Sequence, residues 1–128
     1  MELNELARQI HQNAKNKGFW NEKREMGTLL MLCVSELTEA MEADRRGKYA
    51  NLESYEKESN YVSKYGFEKK PSEIFERNIK DSFEDELADT IIRILDLCGA
   101  MNIDIEKHIE LKMEYNESRS KMHGGKKY

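Results

Sequence analysis

Residues 26–47 read MGTLLMLCVSELTEAMEADRRG, a stretch in which apolar side chains recur every three or four positions. This spacing is the period of an α-helix, and Gly47 is a typical residue just past a helix end. We therefore predict a core helix from about Met26 to Arg46. One face of that helix carries the series Leu29, Cys33, Glu36, Ala40. Glu36 thus stands on an otherwise apolar face, where a carboxylate is protonated, paired or bound to a metal.

The rest of the chain predicts three further core helices. Their approximate bounds are Leu3 to Lys17, Ser82 to Ala100, and Asp104 to Met122. The chain of 128 residues is 38% hydrophobic and 36% charged, with one proline and seven glycines, which favours helices over a turn-rich β fold. We predict an all-α protein with a four-helix-bundle core, formed by residues 1–128 as a single domain.

Two segments fall outside this predicted core. Residues 48–80 are the least apolar part of the chain and form a polar insertion between the second and third core helices. We expect one or two short helices there, with Ser72 as the cap of one of them. Residues 123–128 form a basic tail that we expect to be mobile.

Two pairs of acids lie three positions apart on the second and third predicted helices. The pairs are Glu36 with Glu39 and Glu86 with Asp89. Residues three apart share one helix face, so each pair can present both carboxylates to one point. If the pairs converge, each like-charge contact at about 6 Å costs roughly 3 kcal/mol in an effective dielectric of about 20, and a divalent metal removes that cost.

Each pair also has a simpler interpretation. Glu36 and Glu39 can be surface acids that pair with lysines. The flank of Glu86 and Asp89 can be solvated, since the same helix carries Asp85, Arg93, Asp96. Because both pairs lie on the two most apolar helices, we favour a shared metal site. Glu42, a further acid on the second helix, is expected either at the surface or in contact with the metal ligands without binding the metal itself.

The fourth predicted helix changes character along one face. That face carries Ile105, Ile109, Lys112, Asn116, Arg119. Its polar half offers a point charge, an amide and a planar guanidinium, which together suit a triphosphate. Alternatively, this end of the stripe reaches solvent or pairs with the carboxylates.

Charge and hydropathy exclude other classes of function. The formal net charge of −4 gives no basic field for binding a nucleic-acid polymer, and no apolar run approaches the length of a membrane span. We expect a cytoplasmic protein in which Cys33 and Cys98 are reduced core residues. The third helix is apolar on most sides beyond Asp89, which predicts cover by a partner subunit in a homodimer or homotetramer.

The motifs resemble those of a known family. Glu36-Leu-Thr-Glu39, then Glu86-Leu-Ala-Asp89, then Lys112-Met-Glu-Tyr-Asn116-Glu-Ser-Arg119 are similar to the motifs of the MazG-like, all-α nucleoside triphosphate pyrophosphohydrolases. His11 and Trp20 look like the histidine and tryptophan that line the base pocket in the deoxycytidine triphosphatase branch. Ser35 stands where the family's first motif usually has another glutamate, and the acidic motifs are further apart than usual.

This resemblance implies a MazG-like bundle that hydrolyses a nucleoside triphosphate to a monophosphate and pyrophosphate. It implies that Mg²⁺, for which Mn²⁺ can substitute, is held by Glu36, Glu39, Glu86 and Asp89. Ligands that are all hard oxygens suit Mg²⁺ independently of the resemblance. We expect Glu36 or Glu39 to accept the proton of the attacking water, and Trp20 and His11 either to bind the base or to serve the core.

Two other functions use the same residues. The chain can be a non-catalytic helical module that binds a nucleotide or a protein, with Ser35 and the insertion as signs of redirected activity. It can also be a phosphohydrolase of a nucleotide alarmone, which differs from the leading hypothesis only in the base and the 3′ substituent.

Overall fold

The computed structural model describes residues 2–66 and 70–119, and every regular element in these ranges is an α-helix. The described helices are α1 (Leu3–Asn16), α2 (Met26–Arg45), α3 (Leu52–Tyr65), α4 (Pro71–Asn78), α5 (Phe83–Met101) and α6 (Ile105–Ser118). The predicted all-α fold class is confirmed. In the same ranges, no helix combines the length and the apolar character that crossing a membrane requires.

The four predicted core helices are present with small shifts at their ends. Helix α6 begins at Ile105 because Asp104 is its cap, with the Asp104 side chain accepting a hydrogen bond from the backbone N–H of Lys107 at 3.1 Å. Helix α6 ends at Ser118, before the predicted end at Met122, because Arg119 has an extended conformation. The predicted tail at 123–128 lies outside the described residues.

The polar stretch 48–80 contains two helices that pack against each other, α3 and α4. Asn51 caps α3 by accepting a hydrogen bond from the N–H of Ser54 at 2.9 Å. The prediction that Ser72 caps a helix is wrong. Helix α4 begins at Pro71, whose fixed φ suits the first helical position, so that Lys70 occupies the cap position.

The described chain divides into two compact units. Residues 2–23 and 95–119 form what we call the terminal unit, and residues 24–66 and 70–94 form the central unit. The continuous helix α5 contributes residues to both.

The core of the terminal unit lies where α1 meets the C-terminal half of α5. Its buried residues are Ala7, Leu95, Cys98, with Leu3, Ile10, Ile103 and Ile105 packed against them. Gly99 on α5 permits the close approach of α5 to α1. A Cβ at this position would lie 2.6 Å from the backbone oxygen of Ala7 and 2.7 Å from Cβ of His11. Cys98 is a free core cysteine as expected, whereas the other free cysteine, Cys33, is only half-buried.

In the central unit, hydrogen bonds join the end of α2 to the start of α5. Gly47 ends α2 with a φ of +67°, and the N–H of Lys48 donates to the carbonyl of Ala43 at 2.8 Å. The Lys48 carbonyl then accepts a hydrogen bond from the N–H of Phe83, the first residue of α5, at 2.9 Å. The insertion therefore leaves and rejoins the core at one place.

An apolar stripe on α2 is exposed in this single chain. Its members, spaced three or four positions apart, are Met26, Leu30, Val34, Leu37, Met41. On α5, Ile91, Ile92 and Ile94 are also exposed, so the chain alone does not cover the helix that we predicted to need a partner. Cover by a second subunit stays a prediction.

Replacing Gly99 by alanine should destabilise the protein by about 1–3 kcal/mol, the usual cost of overpacking a well-packed contact. The added methyl group would meet the backbone of α1, which cannot rotate away as a side chain can. Urea denaturation measures the free energy of unfolding.

Gly27→Ala is the matched control, because nothing lies within 4 Å of a Cβ added on α2 at Gly27. It should leave stability unchanged or raise it by up to about 1 kcal/mol through helix propensity. Equal stability of the two variants would contradict the close approach at Gly99.

Candidate metal centre

Carboxylates from α2 and α5 converge inside the central unit. Glu36 on α2 and Glu86 and Asp89 on α5 each offer one carboxylate oxygen, and the three oxygens lie within 4.8 Å of one another. Glu86 and Asp89 reach the same point because residues three apart share a helix face. The structure thus brings together three of the four predicted metal ligands.

Glu86 is the most buried of these acids. Its residue surface is 3% exposed, and its Oε2 atom has no hydrogen-bond partner. Burial raises the pKa of Glu86 to about 8, helped by a hydrogen bond that the protonated form can donate to Glu36 and by the negative charge of Glu39. A carboxylate in these surroundings holds either a proton or a cation.

Asp89 and Glu36 differ in how their charge is compensated. Burial raises the pKa of Asp89, as do the charges of Asp85 and Glu36, while Arg93 opposes the shift. The Nε of Arg93 donates to Oε1 of Glu36 at 2.9 Å, and the Glu36 side chain is only 12% exposed. Glu36 is therefore a paired carboxylate that Arg93 holds in place.

The sequence analysis considered Arg93 only as part of a flank that can be solvated, and it assigned Arg93 no role at the site. The signal was available, because Arg93 lies four positions after Asp89 and seven after Glu86 on one helix face. Ser35, where a further acid was expected from the resemblance, is exposed and donates its hydroxyl to the carbonyl of Leu32 at 2.8 Å.

The fourth predicted ligand, Glu39, lies at the edge of the cluster. It is exposed and is not one of the three converging residues, although its charge reaches Glu86. It lines a cleft of about 390 Å³ together with Glu42, Ala43, Arg46, Lys48, Asp81 and Glu86. Glu42 accepts a hydrogen bond from Nε of Arg46 at 3.1 Å at the surface of α2, in line with its predicted surface position.

A second acidic group was not foreseen as a site. Asp81, Asp85 and Glu86 also offer oxygens within 4.8 Å of one another, so Glu86 belongs to both groups. Asp81 precedes α5 and has a φ of +63°, and its N–H donates to Oδ2 of Asp85 at 2.9 Å.

The donor set fits a hard divalent cation. Both groups consist of carboxylate oxygens, with no thiolate and no imidazole among them. Oxygen ligands suit Mg²⁺, Ca²⁺ and Mn²⁺. Oε2 of Glu86 is a potential ligand atom, because it has no hydrogen-bond partner in the described chain.

The predicted base-binding residues lie together in the terminal unit. Nδ1 of His11 is 2.8 Å from Oδ1 of Asp96, and Nε1 of Trp20 donates to both oxygens of Asp96 at 3.1 Å. The two rings meet edge to face with their centroids 5.0 Å apart. Asp96, which the sequence reasoning assigned no role, therefore orients both rings.

The predicted phosphate-binding residues lie on α6 of the terminal unit, and all three are exposed. Lys112 and Arg119 approach the ring of Tyr115, at 5.2 and 5.5 Å from its centroid. In the described chain the polar half of the stripe faces solvent, as in the alternative interpretation. A phosphate-binding role for Lys112, Asn116 and Arg119 stays a prediction.

Neither a protein-family model nor a curated protein nor a solved structure matches this chain. Its own residues therefore carry the functional argument.

In a chelator-containing buffer, the free energy of unfolding should fall as the pH rises from 4.5, the ordinary pKa of a glutamate, to about 8, the pKa of folded Glu86. Over this range the folded state retains a proton that the unfolded state releases, so the contribution is complete at low pH and lost at high pH. Urea denaturation at a series of pH values measures it.

Glu86→Gln should flatten this part of the profile and stabilise the metal-free protein at pH 8 by about 1–3 kcal/mol, since a neutral amide replaces a buried charge. Glu53→Gln, which changes a glutamate whose side chain is 79% exposed, is the control and should keep the wild-type profile. A wild-type profile in both variants would contradict the assignment to Glu86.

Proposed function

We propose that this protein is a Mg²⁺-dependent nucleoside triphosphate pyrophosphohydrolase of the MazG-like type. The convergence of Glu36, Glu86 and Asp89 around an unpartnered buried oxygen carries the proposal. It supports a cation centre at the place where the motif resemblance expects one. The resemblance of the motifs, in their order along the chain, to those of the MazG-like family supports the reaction that we propose. That reaction is cleavage of a ribo- or deoxyribonucleoside triphosphate to a monophosphate and pyrophosphate.

The chain's own residues have separate tasks in this proposal. When bound, Mg²⁺ neutralises phosphate charge and favours attack of water on the α-phosphorus. Glu36, Glu86 and Asp89 would hold the metal, and Arg93 fixes the orientation of Glu36 through the 2.9 Å hydrogen bond.

Glu39 is the better candidate for the base, because it is exposed at the cleft while Glu36 is occupied by Arg93. It accepts the proton of the water as the new oxygen–phosphorus bond forms. The bond between the α-phosphorus and the bridging oxygen breaks, and pyrophosphate leaves with the electron pair of that bond. Lys48 and Arg46, which line the same cleft, favour the binding of an anionic phosphate chain.

Base recognition is proposed for His11 and Trp20. Asp96 fixes the Nδ1 side of His11, which leaves Nε2 as the ring nitrogen without that contact. The edge-to-face arrangement with Trp20 gives a ring pair of defined orientation, and aromatic rings of this kind stack on nucleobases.

The purified protein should release pyrophosphate from at least one common ribo- or deoxyribonucleoside triphosphate when Mg²⁺ is present, and not when the metal is chelated. Glu39→Gln should lower kcat at least about 100-fold, the usual contribution of a general base, with a smaller effect on KM. A substrate panel scored by pyrophosphate release measures both.

Glu53→Gln is the control for this experiment, since it removes an exposed acid outside the cleft. Absence of turnover with every triphosphate and with 3′-substituted nucleotides would contradict the enzymatic proposal. It would leave the non-catalytic helical module as the better account.

We also propose that two copies associate through the exposed stripe of α2. The stripe is contiguous over the helix and includes Leu30, which is 51% exposed. Contiguous apolar surface of this kind marks an association site in soluble proteins.

Light scattering after size exclusion should therefore give at least twice the chain mass for the wild type, and Leu30→Asp should shift it toward the monomer. Leu52→Asp is the control, because Leu52 is 62% exposed but lies on α3 outside the stripe. A monomeric wild type at micromolar concentration would contradict this proposal.

A further inference from the structure

The second acidic group of the central unit is only partly explained by the start of α5. Ser82 accepts a hydrogen bond from the N–H of Asp85 at 3.2 Å, and Asp85 accepts one from the N–H of Asp81. Acids at a helix N-terminus are also favoured by the helix dipole. These contacts account for Asp85, but they use neither the Asp81 carboxylate nor Glu86.

Glu86 supplies the independent observation that points to a ligand. It is nine-tenths buried or more, at 3% exposure, and its Oε2 atom has no partner. A capping role cannot explain a carboxylate withdrawn from water without a hydrogen-bond donor, because such burial costs free energy that the cap does not return. Glu86 is also the only residue common to both groups of converging oxygens in the described chain.

Charge balance shows what one cation would leave uncompensated. The two groups contain five different carboxylates, against which the Arg93 guanidinium is paired directly. Of the other charged groups that line the cleft, Arg46 pairs with Glu42, while Glu39 and Lys48 carry one charge of each sign. When Glu86 is ionised, as a bound cation requires, four negative charges remain in the two groups, which is the charge that two divalent cations neutralise.

We propose that Glu86 bridges two divalent cations, one held with Glu36 and Asp89 and the other with Asp81 and Asp85. This inference rests on the proposed metal centre and extends it to a second position. A carboxylate has two oxygens and can join two metals, and paired metals in enzymes that act on phosphates lie about 3.5–4 Å apart. The second position takes a hard cation such as Mg²⁺ or Mn²⁺, because all its donors are carboxylate oxygens.

The second cation position lies at a cleft that basic side chains also line, as a metal–phosphate complex requires. Asp81 and Glu86 line the cleft that Lys48 and Arg46 line from the α2 side. A cation at Asp81 would therefore meet a phosphate chain in that cleft.

Mn²⁺ binding to the full chain tests the proposal. Equilibrium dialysis counts the bound ions, and electron paramagnetic resonance reports whether they are close neighbours. We expect two Mn²⁺ per chain in the wild type, with a spin-coupled spectrum, because ions that share a carboxylate interact magnetically.

Asp81→Asn is the decisive variant. Asparagine tolerates the positive φ of position 81, so the turn should persist, while the negative ligand is lost. We expect one tightly bound Mn²⁺, an uncoupled six-line spectrum and at least a tenfold weaker second binding step. Asp85→Asn, which keeps an oxygen to accept the N–H of Asp81, should give the same result, and Glu53→Gln should behave as the wild type.

Three outcomes would overturn the proposal. A single uncoupled Mn²⁺ in the wild type would refute the second position and leave the proposed function intact. Two ions whose coupling survives both Asp81→Asn and Asp85→Asn would show that these residues are not the ligands. No bound Mn²⁺ in the wild type would refute the metal centre itself and with it the proposed function.

Discussion

The burial of the Glu86 carboxylate is the constraint on which the site depends. Glu36 and Asp89 bring carboxylate oxygens within 4.8 Å of it, and Glu39 adds its charge from the cleft. Desolvation and like charge both favour the protonated acid, as the raised pKa of Glu86 expresses. A divalent cation at this place would offset both effects at once. Arg93 compensates Glu36 but leaves Oε2 of Glu86 without a partner.

The main helices could be predicted because each shows an apolar repeat at helical spacing. Helix α3 was expected only as part of one or two short helices, because its half-buried face mixes Tyr55 and Val62 with the polar residues Glu58 and Ser59. Its ends are set by local chemistry instead, with an Asn51 cap and Gly66 in the left-handed conformation at a φ of +67°. The Ser72 cap was wrong for a similar reason, because Pro71 fixes the first helical residue one position earlier.

Part of the candidate site followed from spacing, because acids three apart on a helix share a face. Glu86 and Asp89 meet for that reason, whereas Glu36 reaches them from α2 without its own partner at that spacing, Glu39. Helical spacing could not identify Asp81, because Asp81 lies in a turn before α5 and is positioned by a backbone hydrogen bond. The helical period also could not decide whether the stripe of Lys112 is covered, because it predicts a common face only; in the described chain Lys112 is exposed.

Hydrogen bonds close the insertion at both of its ends. The positions of the carboxylates therefore do not depend on how long the insertion is. Lys48 is bonded to Phe83, and the N–H of Asn51 donates to the carbonyl of Asn78 at 2.9 Å, so the segment between them closes on itself. A segment anchored in this way can grow, shrink or acquire a new surface without moving Glu36 relative to Glu86. Selection can therefore act on the segment between Asn51 and Asn78 as an interchangeable attachment, while the acidic motifs on either side of it stay adjacent in space.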